Sequence, residues 1–272
     1  MPELPEVETI VRELHPLLAG RAITEVRVFR GDALGPCSEA EFRESLLHRK
    51  FREVSRKGKF LVFGLEPSGY LVGHLRMTGK FIVSARPVAP EPHHRVWFGL
   101  DDGAVMIFQD MRCFGTLAVV ERLPDYAPLG KLGMDPLSRG FSGRWLAGAL
   151  DKSRSPLKNW LMDQSKIAGL GNIYAAEILH RAGLSPLRPA CRVKPEEAKR
   201  LCRATREVLR RAISKNGTTI SDYRRVDDKT GEFQNMLRVY GREREPCPRC
   251  RTPIAKIRQQ QRSTFYCPSC QA

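Results

Sequence analysis

No run of apolar residues approaches the roughly 20 that a bilayer-spanning helix needs, so no such helix is expected. The chain also lacks the basic start of a secretion signal, opening instead Met1-Pro2-Glu3-Leu4-Pro5-Glu6, and cytoplasmic residence is expected. No basic amphipathic helix stands out as a membrane-surface binder, and no repeat or low-complexity tract breaks the sequence. Acidic residues are in deficit. Against 46 lysines and arginines stand 30 aspartates and glutamates, leaving a formal charge of +16 that implies a polyanionic partner, nucleic acid first. A disulfide framework is lacking as well. Of eight cysteines, Cys37, Cys113, Cys191 and Cys202 are scattered, and the other four form two Cys-x-x-Cys pairs, a pattern of metal binding plus reduced thiols.

The 272 residues exceed the usual single-domain size, and their character changes along the chain. Apolar residues at Val7, Ile10, Val11, Leu14 and Leu18 predict a helix from Glu3 to Ala19, ended by Gly20. Strand character follows at Ile23–Phe29, Phe51–Ser55, Phe60–Leu65, Tyr70–Leu75, Lys80–Val83, Val96–Leu100, Ala104–Gln109 and Thr116–Val120, with a short helix over Glu39–Leu47. After a Pro- and Gly-rich stretch the sequence turns helical at Arg144–Leu150, Pro156–Asp163, Ile173–Ala182 and Pro195–Lys215. Strand-rich before helix-rich sequence gives an α+β fold: an N-terminal antiparallel β-sandwich with a leading helix, then a helical domain with a zinc ribbon. The expected division is 1–130, a linker at 131–150, a helical DNA-binding part at 151–240 and a zinc finger at 241–272. Within it, Asn216–Gln234, holding Gly217, Asp227, Asp228, Lys229 and Gly231, reads as a mobile loop.

Five local patterns carry chemistry. Cys247-x-x-Cys250 and Cys267-x-x-Cys270 provide two knuckles whose four thiolates complete the tetrahedral shell of one structural Zn²⁺. Between them, Lys256–Arg262 and Ser263–Tyr266 read as a hairpin whose tip offers Arg262 to a phosphate, or is simply a solvated basic turn. Gly169-Leu170-Gly171-Asn172 makes a tight turn at a helix start, a phosphate cradle or an ordinary cap, with Arg154 and Lys158 on the preceding helix approach. Pro2-Glu3 fits an ordinary helix start. Equally, loss of Met1 would expose a secondary amine whose pKa lies near the reference of about 7.7–8.0, with a helix dipole favouring its neutral form and Glu3 opposing it. Met77, Arg112 and Phe114, at strand ends, suit insertion between bases or, for Met77 and Phe114, core packing.

Together, Pro2 to Thr9, Gly58-Lys59-Phe60, His74 to Gly79, Asp110 to Gly115, Trp160 to Asp163, Gly169 to Tyr174 and Tyr240-Gly241-Arg242 before the cysteines resemble, in order, the formamidopyrimidine-DNA glycosylases, within the family shared with endonuclease VIII. The resemblance implies a glycosylase and abasic-site lyase that removes oxidised purines from damaged double-stranded DNA as a monomer. It places the nucleophile on Pro2, proton handling on Glu3, proton donation on Lys59 and a finger arginine linked with the later elimination on Arg262. By the same resemblance Met77, Arg112 and Phe114 fill the gap left by the extruded base. His74 lies in a matching motif, and His93, Arg154, Lys158 and Asn172 match DNA-backbone contacts. Gly217-Thr218-Thr219 opens the loop that closes over the base, of a length that favours purines over the oxidised pyrimidines of the endonuclease VIII branch. Three departures stand out: Arg95 where a second histidine is frequent, Cys113 where a basic residue is common, and Met134-Asp135 for a frequent Pro-Glu. A non-catalytic zinc-containing DNA binder is the reading from a different class.

Overall fold

The computed structural model describes residues 1–35, 37–220, 223–226 and 229–272, so Asp227 and Asp228 of the expected loop lie outside the described residues. The chain forms two units, Met1–Gly130 with Lys215–Glu232, and Lys131–Ser214 with Phe233–Ala272.

In the first unit, α1 (Leu4–Leu18) buries Leu4, Val7, Ile10, Val11, Leu14 and Leu18 along one face, as their spacing predicts. It is one residue shorter at each end than expected, because Glu3 takes the extended backbone of an N-cap and Ala19 that of a C-cap. The chain continues through β1 (Ile23–Val28), α2 (Glu39–Glu44), β2 (Lys50–Lys57), β3 (Phe60–Glu66), β4 (Tyr70–His74), β5 (Gly79–Ser84), β6 (His94–Leu100), β7 (Val105–Asp110) and β8 (Thr116–Val120). α2 stops three residues short of the predicted end, after which the chain leaves in turns and His48 adopts a φ of 64°. Two antiparallel four-stranded sheets result, ordered β1-β6-β7-β5 and β2-β3-β4-β8. The inner residues Phe51, Phe63, Phe81, Phe98 and Phe108 join Val7, Ile10, Val11, Leu14 and Leu18 of α1 in one core, the sandwich that the succession of short strands anticipates.

Register decides where the loops fall. Lys57 pairs with Phe60, Phe60 with His74 and His74 with Thr116, while Gly79 pairs with Asp110 in the other sheet. The turns at 58–59, 75–78 and 111–115 therefore emerge from one end of the sandwich. A short α3 (Ala127–Gly130) closes this part of the chain.

The second unit contains α4 (Gly143–Asp151), α5 (Leu157–Met162), α6 (Asn172–Ala182) and α7 (Pro195–Ser214), then a hairpin of β9 (Ala255–Gln259) and β10 (Arg262–Tyr266). α4 and α6 pack against α7, whose buried face carries Leu201, Val208, Leu209 and Ile213. The stretch 131–150, expected as a linker, holds α4 and so lies inside this unit. Residues 215–232, expected with the helical part, cluster with the sandwich instead. Among the described residues no helix is long and apolar enough to cross a membrane.

Candidate active site and nucleic-acid interface

The site begins at the first turn of α1. Pro2 and Glu3 are buried, whereas Met1 is exposed. Glu6 caps the helix by accepting a hydrogen bond from the Glu3 amide at 2.8 Å. Two cross-links fix the direction of α1 over β2: the Val54 amide donates to His15 Nδ1 at 3.1 Å, and Arg56 Nε donates to Glu8 at 2.9 Å. Going from the first link to the second moves toward the start of α1 and toward the end of β2. Continuing the same way leads to Glu3 in α1 and to the hairpin turn Gly58-Lys59 after β2. Gly58 supplies the φ of 57° that a two-residue turn of this hand needs, and Lys59 follows it, buried. Pro2, Glu3 and Lys59 thus share one end of the first unit.

His74 stands beside this turn, its ring 4.6 Å from that of Phe60 in an edge-on contact. Its Nδ1 accepts the Arg76 amide at 3.0 Å, so in the neutral ring the proton sits on Nε2. Burial, reinforced by Arg76 and Lys59, pushes its pKa down to about 3. The imidazole is therefore a neutral donor at physiological pH, suited to a phosphate oxygen without adding charge.

The loops bearing the wedge candidates are organised by a residue that the sequence reading left without a role. Asp110, buried at the end of β7, accepts hydrogen bonds from the Thr78 hydroxyl, the Arg112 amide at 3.2 Å and the Gly115 amide at 2.7 Å. Its carbonyl accepts from Arg95 Nε at 2.7 Å, and its amide donates to the His93 carbonyl at 2.9 Å. One carboxylate thereby ties the Met77-Thr78 turn to the 111–115 turn. Met77 is half-buried and His93 partly exposed, while Phe114, 52% exposed, is not a core residue. The Arg112 guanidinium lies 5.0 Å from the Phe114 ring centre. Arg95 is buried at the position where the resemblance would place a second histidine, and His94 is likewise internal, accepting the Trp97 indole N–H at 3.1 Å.

The segment read as a mobile loop is anchored to α1 at its described residues. Glu6, besides capping the helix, accepts the Thr218 amide at 2.8 Å. Glu13 accepts Arg225 Nε at 2.5 Å and the Val226 amide at 3.0 Å, and Tyr223 and Val226 enter the sandwich core. Gly217, at φ 77°, passes so close to Glu6 that a Cβ would meet its carboxylate oxygen at 2.8 Å. Low apolar content suggested mobility because it does not register that two carboxylates of a distant helix hold the backbone.

In the second unit Arg154 and Arg262 are exposed. The hairpin tip is Gln260-Gln261, both at positive φ, with Arg262 beginning β10 opposite Gln259. Lys158, grouped with Arg154 from sequence, is buried: its Nζ donates to the Ser263 carbonyl at 3.0 Å and to Thr264 Oγ1 at 2.6 Å. Asn172, half-buried at the first residue of α6, donates to the same Ser263 carbonyl at 3.0 Å, and its Oδ1 has no hydrogen-bond partner. The two side chains clamp the ribbon to the helices beside Arg262. No sequence pattern announces that clamp.

Cys247, Cys250, Cys267 and Cys270 bring their sulfurs within 4.8 Å of one another, with Cys247–Cys270 at 4.0 Å and Cys250–Cys267 at 3.4 Å. A tetrahedral zinc site with Zn–S bonds of about 2.3 Å has sulfurs about 3.8 Å apart, so the four residues fit Zn²⁺. Hydrogen bonds from Thr252, aided by Cys270, hold the Cys250 thiol down to about 6, whereas burial and the neighbouring thiols push Cys270 up to about 12. Four crowded thiolates repel one another, and a bound cation relieves that repulsion.

Family models match three successive parts of the chain. The family model described as "Formamidopyrimidine-DNA glycosylase N-terminal domain" matches residues 1–117, "Formamidopyrimidine-DNA glycosylase H2TH domain" matches 132–224, and "Zinc finger found in FPG and IleRS" matches 244–272. A formamidopyrimidine-DNA glycosylase of Pelotomaculum thermopropionicum is 41% identical over 273 residues, covering all of this chain and 99% of its own. The crystal structure of the MutM (Fpg) protein from Thermus thermophilus is 43% identical with a TM-score of 0.89, over 99% of this chain and 98% of that one. A Lactococcus lactis Fpg variant, solved in complex with a Fapy-dG containing DNA, is 32% identical with a TM-score of 0.92, covering 99% of each chain. On identity and coverage alike, the chain belongs to the formamidopyrimidine-DNA glycosylase family.

Proposed function

We propose that the protein excises oxidised purines, 8-oxoguanine and formamidopyrimidines, from duplex DNA and then cleaves the strand, through an amine at Pro2. The observation that carries this reading is the buried Pro2-Glu3 pair at the start of α1, running toward the hairpin turn that presents Lys59. A helix N-terminus disfavours the charged amine, and Glu3 is placed to handle protons at the sugar and the departing base. The Pro2 nitrogen attacks C1′ as the glycosidic bond breaks and the base leaves with its bonding pair, taking up a proton. Opening of the sugar gives an iminium that acidifies the 2′ hydrogen, so the 3′ phosphate departs by β-elimination and the 5′ phosphate by δ-elimination. Water then releases the amine. Lys59 donates a proton in the first part, and Arg262 serves the later elimination.

Met77, Arg112 and Phe114 fill the emptied stack, offsetting the unstacking cost of a few kcal/mol. His74, His93, Arg154, Lys158 and Asn172 serve the DNA backbone, with Lys158 acting through the Ser263 carbonyl rather than by direct contact. One Zn²⁺ on the four cysteines would hold the ribbon in shape and leave no open position for chemistry. The working protein is a monomer in the bacterial cytoplasm, associated with the nucleoid through DNA. All of this requires Met1 to be removed, because in the full-length chain the Pro2 nitrogen is an amide.

The test is borohydride reduction with duplexes carrying 8-oxoguanine, an oxidised pyrimidine or an abasic site. A covalent adduct on the purine lesion is expected. Preference for the pyrimidine would move the protein to the endonuclease VIII branch. No adduct on any duplex, from zinc-loaded protein lacking Met1, would leave a DNA binder without chemistry.

A further inference from the structure

A cavity of about 360 Å³ opens in the second unit away from the Ser263 clamp. Its volume is in the range of about 300–1,000 Å³ of pockets that hold ligands. Its apolar lining is Val208, Phe233, Met236 and Pro248, the first two buried. Around these stand Arg211, Arg238 and Arg249, all exposed, and among the described residues none of the three guanidinium groups has a carboxylate within ion-pair distance.

The carboxylates that could neutralise them are committed elsewhere. Glu207 is engaged by Arg181 through both oxygens, at 2.9–3.1 Å. Glu177, buried, gives its oxygens to the amides of Arg238, Val239 and Tyr240, each at 2.9 Å. The cavity thus combines an apolar floor with a positive rim in which, among the described residues, none of these three guanidinium groups forms an ion pair with a wall carboxylate; burial raises the Glu177 pKa, with the charge of Arg238 acting against it. His180, on its wall, lies eight residues after Asn172 in α6, about 12 Å along the helix axis, beyond the screening length of about 8 Å at physiological salt.

We propose that this cavity docks an acidic peptide segment, one large apolar side chain of which rests on Phe233 and Met236 while its carboxylates pair with Arg211, Arg238 and Arg249. A phosphate backbone alone would satisfy the arginines and leave the apolar floor unused; a neutral apolar ligand would do the reverse. An acidic segment with a single apolar anchor uses both, the usual anatomy of a small interface with a buried hot spot and a charged rim.

The test uses the zinc-loaded full chain and a short fluorescent peptide of aspartates around one phenylalanine, followed by anisotropy at physiological salt. Saturable binding is expected, weakened at least about tenfold by Arg211→Glu combined with Arg238→Glu, and equally by serine in place of the peptide's phenylalanine. Saturating duplex DNA should leave the peptide bound, and borohydride trapping by the double variant, measured on protein lacking Met1, should be unchanged. Should that variant lose zinc, Met236→Ser, at a half-buried position, tests the floor independently. No saturable binding, equal affinity of the serine peptide, or displacement by a duplex or single-stranded oligonucleotide would each overturn the proposal, the last by making the cavity a nucleic-acid site.

Discussion

Each unit presents an exposed tip, and the two are held in place by different chemistry. In the first, the turns bearing Met77, Arg112 and Phe114 rise from a sandwich whose core includes Phe63, Phe81 and Phe108, and one buried carboxylate, Asp110, sets their geometry. In the second, Arg262 sits on a two-stranded ribbon whose apolar cluster is small: Ala176, Val239, Ile254, Phe265 and two of the cysteines. A two-stranded hairpin is marginal by itself, so the cysteine cluster and the Lys158–Asn172 clamp supply what the core does not. A rigid tip can therefore rest on buried area where the domain is large, and on metal and charge-assisted hydrogen bonds where it is small.

Removing the metal should separate the tips most sharply. Chelation, or Cys267→Ser, should disorder β9 and β10, since zinc-coupled folding is worth on the order of 10 kcal/mol, and abolish duplex binding. The sandwich, which owes nothing to the metal, should keep its melting transition in the same sample.

Next in size is the clamp. Lys158→Met should cost about 2–3 kcal/mol by releasing the Ser263 carbonyl and Thr264 hydroxyl. Affinity for duplex DNA should fall while the slope of log affinity against log salt stays the same. A slope reduced by about one would instead mark Lys158 as a direct phosphate contact.

On the other tip, Asp110→Asn places an N–H where the Gly115 or Arg112 amide needs an acceptor, and a loss of about 2 kcal/mol in urea melts is expected. Lesion excision should slow with it. Unchanged stability would show that the two turns hold each other without the carboxylate.

The smallest effect is one of pH. The folded His74 pKa, about 3, lies below the unfolded value near 6.5, so between the two the unfolded chain takes up a proton that the folded chain refuses. Its contribution is thus intact above pH 6.5 and declines on acidification, by about 1 kcal/mol between pH 7.5 and 5.5. His74→Gln should remove that part of the pH dependence, measured as melting free energy at the two pH values.

What could be read in advance follows the range of the interactions. α1, the strands and the cysteine pairs declare themselves because periodicity and spacing are local. Lys158 could not be told from a surface lysine, since its partners lie 105 and 106 residues away. Nothing near Glu13 in the sequence marks it as a fastening point, because the residues it holds lie more than 200 positions later. Phe114 could have been a core residue by sequence, and its exposure removes that reading.

The Glu6 carboxylate divides its two oxygens between the Glu3 amide and the Thr218 amide. Whatever draws on one of those bonds is felt at the other, because a single anion serves both. The helix start and the segment after Gly217 are thus thermodynamically linked, and on the function proposed above a base that settled under the segment would, by reciprocity, steady the start of α1 as much as α1 steadies the segment. Recognition and reactivity would then rise and fall together, with no separate messenger between them.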